Sequence, residues 1–536
     1  MSVKLWFDKR STHGSSLKFR FAVNVGANVI YMAVSALLML WYVPYLVSHL
    51  GIAAYGMVPL ANSLVVYATI VTDGLNVAIN RFLTIDLQRR EIDAANRTFN
   101  TAFFASVGFL LILTPLILVV VWFYPHLFHV PDGREVDARV IFCAVVATFY
   151  ASVVGSNFDV SSLALQRFDL RNLARGITLF SRVGGVVLLF VLFAPRLWHV
   201  GAGFAVSALV GIVASWLVWR RLTPELAIRR HAFDRSRLRS LLGMSGWSVL
   251  NRLGTFLFLS VDLIIINLYL GATNTGQYGA LIFFPELLRN LIDTVSSVLN
   301  PTLVGLYAIN DWEGLRQLAM RSVRLLGVGL ALPVGLLCGL AAPFLTLWLG
   351  DDFRSLAPLL ILMVAHMSIT LATLPLSYVL TSYNRVKIQG LMTLALGVAN
   401  VGLSIWFVAG LKMGLIGVAL ATTITFTARN FLFLSSYSAH VMEQHWWTFY
   451  PMLTIGFVNM VLVALISALF AYVGRVYLFG VESWLMLALV ALLVSLLDGI
   501  LAPRLFLGTA ERHFLWTYLV PFVPPAWQPT VRKLYL

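Results

Sequence analysis

Charged residues are scarce in this sequence, since Asp, Glu, Lys and Arg make up only 11% of its 536 residues. Soluble domains contain about a quarter charged residues, so a soluble protein is excluded. Disorder is excluded as well, because a disordered chain has low hydrophobicity and high charge, whereas 60% of this chain is hydrophobic.

Cysteine and the common catalytic motifs are also nearly absent. Cys143 and Cys338 lie in apolar segments, which predicts packed thiols and no disulfide framework. The sequence has no G-x-x-x-x-G-K-S/T loop, no H-E-x-x-H and no G-x-S-x-G. We therefore expect a protein that is not an enzyme, has no resident cofactor and contains no ATP-driven motor.

Long apolar runs are what the sequence does contain. Many are about 20 residues or longer, the length that crosses the hydrocarbon core as a helix. Strands of a membrane barrel would instead alternate over about ten residues. We predict an all-α polytopic membrane protein with fourteen spans. They are 20–49, 53–80, 99–124, 138–162, 173–194, 199–219, 244–270, 278–304, 321–349, 355–380, 388–409, 414–438, 451–474 and 483–503.

The distribution of basic residues predicts the orientation of these spans. If both termini are cytoplasmic, 28 of the 38 Lys and Arg residues lie on the cytoplasmic side and 6 on the outside. This asymmetry is typical of the positive-inside rule, so the net charge of +15 needs no nucleic-acid partner. Seven arginines lie between Arg220 and Leu241, which indicates an anchor on anionic headgroups and a linker between two halves.

The two halves of the chain resemble each other. Leu50-Gly51 followed by Tyr55-Gly56 matches Leu270-Gly271 followed by Tyr278-Gly279. Six spans per half give a parallel repeat, an arrangement in which transporters bind substrate near the midplane between the halves. We predict a cytoplasmic tail at 1–19, an N-lobe at 20–219, a basic linker at 220–243, a C-lobe at 244–438, and two further helices with a cytoplasmic tail at 439–536.

Polar residues inside the spans follow helical spacing and therefore form stripes. Such residues are costly in a bilayer and usually face a cavity or a partner helix. The stripes lie on spans 1, 2, 7 and 8, which we expect to surround one hydrated cleft. Their main members are Asn24, Asn28, Asn62, Asp73, Asn76, Arg252, Asp262, Glu286, Arg289, Asp293 and Asn300.

The arginines within spans are candidate anion ligands. Guanidinium stays protonated and forks onto phosphate oxygens, which favours Arg252 and Arg289. Glu286 and Asp293 lie at helical spacing from Arg289, so a self-neutralised ion cluster is an alternative for that residue. Arg81 is either a topology anchor or a site residue. We interpret Arg182 and Arg429 as snorkelling side chains near span ends.

Carboxylates in the spans are candidates for coupling to protons or sodium. Asp73, Asp262, Glu286 and Asp293 can exchange protons if burial raises their pKa. Asn400 and Thr422 on spans 11 and 12 offer neutral oxygens for sodium.

At this point the sequence resembles the polysaccharide transporter (O-antigen flippase) branch of the multidrug/oligosaccharidyl-lipid/polysaccharide (MOP) exporter superfamily. The resemblance covers roughly residues 20 to 440. It rests on Leu50-Gly51 with Tyr55-Gly56, Thr72-Asp73-Gly74-Leu75 through Asn80-Arg81, Pro125-His126-Leu127-Phe128, and the segment from Pro343-Phe344-Leu345 to Gly350.

The resemblance implies two six-helix lobes in a V shape plus two C-terminal helices. It implies translocation of a polyprenyl-diphosphate-linked oligosaccharide to the outer leaflet of the bacterial inner membrane, with glycosyltransferases and a glycan polymerase as pathway partners. Arg252 and Arg289 would hold the diphosphate. In some related lipid II flippases sodium binds between helices 7, 11 and 12, where Asp262, Asn400 and Thr422 would lie here.

We therefore expect a lipid-linked oligosaccharide flippase that works by alternating access. The neutral amides, together with Arg81 at the cytoplasmic end of span 2, complete its expected substrate site: Asn24, Asn28, Asn62, Asn76 and Asn300. One alternative is a cation-coupled multidrug antiporter that binds cations at Asp73, Glu286 and Asp293. A distant alternative is a membrane-embedded glycan polymerase or acyltransferase, which would need a large catalytic loop that the sequence lacks.

Overall fold

All regular secondary structure in the described part of the chain is helical. The computed structural model describes residues 14–297, 299–479, 482–509 and 511–513, and the side chains at 14–25, 67–75, 77–78, 242–252, 259, 297 and 478–479 lie outside this description. The helices of the first half are α1 Gly14–Leu50, α2 Ile52–Gln88, α3 Ile92–Leu127, α4 Glu135–Ala164, α5 Phe168–Leu192, α6 Leu197–Leu222, α7 Arg235–Leu259 and α8 Val261–Leu281.

The second half contains shorter helices as well as long ones. They are α9 Phe283–Ser297, α10 Leu299–Ala308, α11 Trp312–Gly339, α12 Ala341–Leu349, α13 Ala357–Ala365, α14 Met367–Thr370, α15 Leu374–Ser382, α16 Val386–Ile405, α17 Gly414–Thr427, α18 Ser435–Val441, α19 Tyr450–Val473 and α20 Trp484–Phe506. Segments of π-helix follow α16, α17 and α19, at Trp406–Gly410, Ala428–Leu434 and Gly474–Phe479.

The length and apolar character of these helices confirm an all-α polytopic membrane protein. Twelve stretches among the described residues are long and apolar enough to cross a bilayer. One of them, Leu253–Ala308, has 56 residues, more than twice the length of one crossing, and Ile52–Val66 adds a shorter apolar helix. About fourteen spans result, in agreement with the sequence.

The outward faces of the helices carry large apolar side chains. Ile112 is 81% exposed and Val191 is 74% exposed, as expected for surfaces in contact with lipid. Cys338 is buried as predicted, but Cys143 is exposed on α4, so the prediction of a packed thiol is wrong for Cys143. Apolar neighbours in the sequence do not distinguish a core position from one that faces lipid.

Two predicted spans are interrupted in the structure. Span 278–304 is interrupted at residue 282, between α8 and α9, and span 355–380 is divided among α13, α14 and α15. Pro285 lies in the first turn of α9 and Pro375 in the first turn of α15. Proline lacks the amide hydrogen and clashes with the preceding turn, so a new helix starts where each occurs.

The glycines of the two Leu-Gly pairs adopt the same backbone conformation. Gly51, between α1 and α2, has φ 79° and Gly271, inside α8, has φ 85°. An L side chain is strained in this region, whereas glycine is not. The sequence repeat therefore corresponds to a repeated helix junction.

The chain forms two compact units, Met1–Ala280 and Leu281–Leu536. The predicted seventh span thus belongs to the first unit. This division follows spatial contacts and not the sequence repeat, so the predicted lobe boundaries and the V shape stay predictions.

An aromatic cluster fills one end of the first unit. Trp219 at the end of α6 is 2% exposed and stacks on Phe99 of α3, with ring centroids 5.2 Å apart. Phe158 of α4 lies 5.2 Å from the same indole ring. The cluster joins α3, α4 and α6 just where the basic linker leaves α6.

Two asparagines of α3 hold the segment that follows α6. Asn96 donates to the carbonyl of Glu225 (3.2 Å) and accepts from the amide of Ala227 (3.0 Å). Asn100 donates to the carbonyl of Ala227 (2.9 Å) and accepts from the amide of Arg229 (2.6 Å). Both side chains are buried. Each supplies hydrogen-bond partners to backbone groups of the irregular segment, which has no helix or strand to pair them.

Substitution of Asn100 by leucine is expected to loosen this segment. The change removes three hydrogen bonds, one of them within α3, and leaves the carbonyl of Ala227 and the amide of Arg229 without their partner, at about 1 kcal/mol or more each. Trypsin should then cleave the purified protein at Arg229 or Arg230 about tenfold faster. Asn274→Ala is the control, because Asn274 donates to Leu270 in its own helix. Equal cleavage rates in the two variants would contradict this role of Asn100.

Glycines allow α19 and α11 of the second unit to pack closely. A Cβ atom at Gly456 of α19 would lie 2.8 Å from the backbone of Gly327 on α11, and one at Gly335 would lie 2.7 Å from Val463. Small residues allow helix backbones in a bilayer to approach this closely. Helix α19 therefore packs directly on α11.

Candidate functional site

The first unit contains a polar cavity of about 500 Å³. Its walls come from α1, α2, α4, α5 and α6. The lining residues with polar side chains are Tyr31, Asn76, Asn80, Thr148, Ser152, Ser156, Asp159, Arg171, Arg175, Thr178, Arg182, Ser207 and Ser215. This is a concave site of the size that binds small molecules or parts of larger ones.

Three arginines of α5 make the cavity cationic. Arg171, Arg175 and Arg182 follow one another at i, i+4 and i+11, so they share one helix face. Asp159 of α4 is the one acidic residue among the described lining residues, and its carboxylate lies 3.8 Å from Nε of Arg171. The lining therefore carries a surplus of two positive charges.

Arg182 is the most C-terminal of the three arginines of α5. Its guanidinium carbon lies 4.4 Å from the ring centroid of Phe204 on α6, a cation–π contact. Its Nε is buried and has no hydrogen-bond acceptor among the described residues. The interpretation of Arg182 as a snorkelling side chain is therefore wrong, because the side chain lines the cavity and lies over the ring of Phe204.

Amide side chains line the cavity beside these arginines. Asn76 of α2 accepts a hydrogen bond from Ser156 of α4 at 3.1 Å. The side-chain oxygen of Asn80 is buried and accepts no hydrogen bond from the described residues. Asn28 of α1, which is not among the lining residues, accepts from Asn172 of α5 at 2.6 Å. Of the predicted sugar ligands, Asn76 thus lines the cavity and Asn28 contacts the helix that carries its arginines.

Other predicted residues of the first unit lie elsewhere. Asn62 is exposed and donates to the carbonyl of Val58 in its own helix at 3.0 Å. Arg81 is exposed near the end of α2. Asp262 is buried at the start of α8 and accepts a hydrogen bond from Tyr278 at 2.8 Å. The side chains of Asn24, Asp73 and Arg252 lie outside the described residues.

The second unit has a charged cluster of its own. Arg289 on α9 lies close enough to Glu286 and Asp293 for their charges to interact, which fits the self-neutralised cluster that the spacing offers. Its guanidinium carbon is 5.7 Å from the ring centroid of Phe426. Asn300 on α10 is half-buried, and its side-chain oxygen accepts no hydrogen bond within the described part of the chain.

Arg429 lies in the π-helical segment after α17. It donates to the hydroxyl of Thr393 on α16 (2.9 Å) and to the side-chain oxygen of Asn430 (3.2 Å). These bonds hold the guanidinium between helices, so the snorkelling interpretation is wrong here too. π-Helical turns are frequent at functional sites.

The structure brings together the two residues proposed as neutral sodium ligands. Asn400 of α16 is fully buried, and its side-chain oxygen accepts hydrogen bonds from Thr422 (3.3 Å) and Thr425 (3.0 Å) of α17. Asp262 belongs to the first unit and this pair to the second. Sodium binding by the three residues therefore stays a prediction, as does the cleft formed by spans 1, 2, 7 and 8.

The comparisons with known proteins fit this architecture. Residues 21–307 match the family described as "Polysaccharide biosynthesis protein". The membrane protein EpsK of Bacillus subtilis (strain 168) is 31% identical over 501 residues, which is 92% of this chain and 97% of EpsK. Among solved structures, lipid II flippase MurJ in an inward closed conformation has a TM-score of 0.60 at 16% identity, covering 89% of this chain and 98% of MurJ.

A second group of solved structures has the same fold. An inward-facing MATE multidrug resistance transporter of the MOP superfamily has a TM-score of 0.59 at 15% identity, over 78% of this chain and 99% of the transporter. A MOP superfamily transporter from Pyrococcus furiosus gives 0.56 at 15% identity, over 79% and 95%. The likeness to these structures, together with the sequence match, leads to one conclusion: the chain belongs to the polysaccharide biosynthesis protein family and has the fold of MOP superfamily transporters.

Proposed function

We propose that the protein moves a polyprenyl-diphosphate-linked oligosaccharide from the cytoplasmic to the outer leaflet of the bacterial inner membrane by alternating access. The observation that carries the proposal is the cationic cavity of the first unit. Glycosyltransferases would supply this substrate, and a glycan polymerase or ligase would consume it on the other side.

The cavity matches the chemistry of a diphosphate. Guanidinium groups remain charged at all physiological pH values and donate paired hydrogen bonds to phosphate oxygens. The two surplus positive charges of the lining offset the charge of a diphosphate. Arg182 has a buried Nε with no acceptor among the described residues, so it can donate to a ligand without losing an existing bond at that atom.

The remaining lining suits the sugar next to the diphosphate. Asn76, Asn80 and Thr178 offer donors and acceptors for hydroxyl groups. About 500 Å³ accommodates the diphosphate and the adjoining sugar, while the prenyl tail remains in the bilayer. Arg289 and Arg429 are further candidates for contact with the anion in the second unit, and Arg252 keeps this proposed role on the sequence argument alone.

The membrane potential favours the proposed direction. An inside-negative potential helps to move an anion outward by about 2.3 kcal/mol per charge per 100 mV. Exchange of protons or sodium is a further proposed source of energy, with Asn400 and Thr422 as neutral oxygen ligands and Asp73, Asp262, Glu286 and Asp293 as carboxylates.

Translocation by the purified protein tests this proposal. Proteoliposomes are loaded with a polyprenyl-diphosphate oligosaccharide, and a membrane-impermeant glycosidase reports how much reaches the other leaflet. We expect protein-dependent translocation, faster with an applied potential, and a change on replacing Na⁺ by K⁺ if sodium is coupled. Uptake of ethidium without glycan translocation would instead indicate a multidrug antiporter, and lengthening of the glycan would indicate a polymerase.

A further inference from the structure

The second unit has another cavity, separate from the charged cluster of Arg289. It measures about 400 Å³ and lies where α10 ends and α11 begins. Its lining residues are Asn310, Asp311, Trp312, Glu313, Arg316, Tyr383, Met442 and Gln444. In the predicted orientation this surface is cytoplasmic, where a substrate would be loaded.

One wall of this cavity is aromatic. The ring centroids of Trp312 and Tyr383 are 5.8 Å apart, and Tyr307 packs edge-on against both at 5.2 and 4.9 Å. Trp312 is 47% exposed, so part of the indole ring remains available to a ligand. Aromatic rings held by neighbours in this way offer a large apolar surface at low entropic cost.

The facing side of the cavity is rich in hydrogen-bonding groups. Arg316 donates to Glu313 (2.6 Å) and to Gln444 (3.0 Å), which fixes the loop after α18 against α11. Nε of Arg316 is nevertheless buried and has no acceptor in the described part of the chain. Asp311 accepts from the amide of Gly314 at 2.9 Å. Two carboxylates and one guanidinium give the lining a net negative charge, which disfavours phosphate.

We propose that this cavity binds one pyranose ring of the transported glycan, with Trp312 and Tyr383 against a C–H face of the sugar and Glu313, Arg316 and Gln444 bonded to its hydroxyls. A sugar ring presents both an apolar C–H face and hydrogen-bonding hydroxyl groups, whereas a diphosphate or a prenyl chain presents only one of these two surfaces. This sugar subsite belongs to the second unit and is additional to the diphosphate site proposed in the first. The proposal rests on the proposed function, since it takes the cargo to be a glycan.

Ligand-observed saturation-transfer NMR on the detergent-purified full chain tests the proposed sugar subsite. The probes are the methyl glycosides of glucose, galactose, N-acetylglucosamine and rhamnose. We expect transfer to the C–H protons of at least one of them, and about tenfold weaker binding in Trp312→Ala, which corresponds to the free energy of one aromatic contact. Trp312→Phe, which keeps a ring, should retain most of the binding.

Two control variants make the result specific. Trp446 is an exposed tryptophan outside the cavity lining, so Trp446→Ala should bind as the wild type does. Arg182→Gln alters the other cavity and should leave sugar binding unchanged. If no probe shows transfer that depends on Trp312, or if ethidium binds there and the sugars do not, the sugar subsite is overturned. Translocation by the wild type without Trp312-dependent sugar binding overturns the sugar subsite alone, whereas Trp312-dependent sugar binding without translocation of the lipid-linked glycan overturns the proposed function.

Discussion

Replacing both Arg171 and Arg182 by glutamine is expected to lower glycan translocation about a hundredfold or more. A hydrogen bond to a charged group contributes roughly 1.5–3 kcal/mol, and 1.4 kcal/mol is a factor of ten, so loss of two such bonds gives this magnitude. The substitution keeps the size and polarity of the side chains while it removes the positive charge. The rate is measured in proteoliposomes, and surface polysaccharide is measured in cells that lack the native protein.

The matched control is the double variant Arg220→Gln with Arg221→Gln. These two arginines are exposed at the end of α6 and line neither cavity. Both double variants should be as abundant and as monodisperse in gel filtration as the wild type. Arg182→Lys, which keeps the charge but loses the fork, should give an intermediate rate. Normal translocation by the Arg171/Arg182 variant would show that the diphosphate does not bind in this cavity.

Substitution of Gly276 by alanine is expected to unfold or strongly destabilise the protein. A Cβ atom at Gly276 of α8 would overlap the backbone carbonyl oxygen of Ile52 on α2, and a Cβ at Gly56 would lie 2.6 Å from the amide nitrogen of Gly276. Backbone atoms of two helices cannot yield as a flexible side chain does. We expect the thermal midpoint to fall by about 10 °C, measured by fluorescence-detected gel filtration after heating.

Gly184→Ala provides the comparison for this variant. Gly184 lies within α5, and a Cβ atom added there meets no atom within 4 Å. Its midpoint should be unchanged or slightly raised, because alanine favours a helix more than glycine does. If Gly276→Ala is as stable as Gly184→Ala, then α2 and α8 do not pack as closely as described.

The sequence predicts the fold largely because membrane helices leave a strong signal in composition. Runs of 20 apolar residues, the Leu-Gly pairs and the exposed arginines each identify an element without reference to tertiary structure. Interruptions are harder to predict: Pro285 and Pro375 start new helices, whereas α3 contains Pro115 and runs unbroken through it. Whether a proline ends a helix in a bilayer depends on neighbours that can bond the freed carbonyl.

The sequence predicts the site only in part. Arg171 and Arg175 occur near the start of α5, where the positive-inside rule already accounts for them, and Arg182 occurs where snorkelling is a sufficient explanation. Their spacing at i, i+4 and i+11, which places all three on one helix face, is the sequence signal that indicates a shared site. Asn76 of α2 was predicted from its polar stripe, but the contribution of Asp159 from α4 could not be predicted, because it depends on how five helices pack.

The proposed function requires that a diphosphate binds among the arginines of α5. The most direct measurement is a cryo-electron microscopy structure of the protein with a bound polyprenyl diphosphate. We expect density for the two phosphates within hydrogen-bonding distance of Arg182 and Arg171. Phosphate density beside Arg289 and Arg429, with the cavity of the first unit filled by solvent alone, would contradict it.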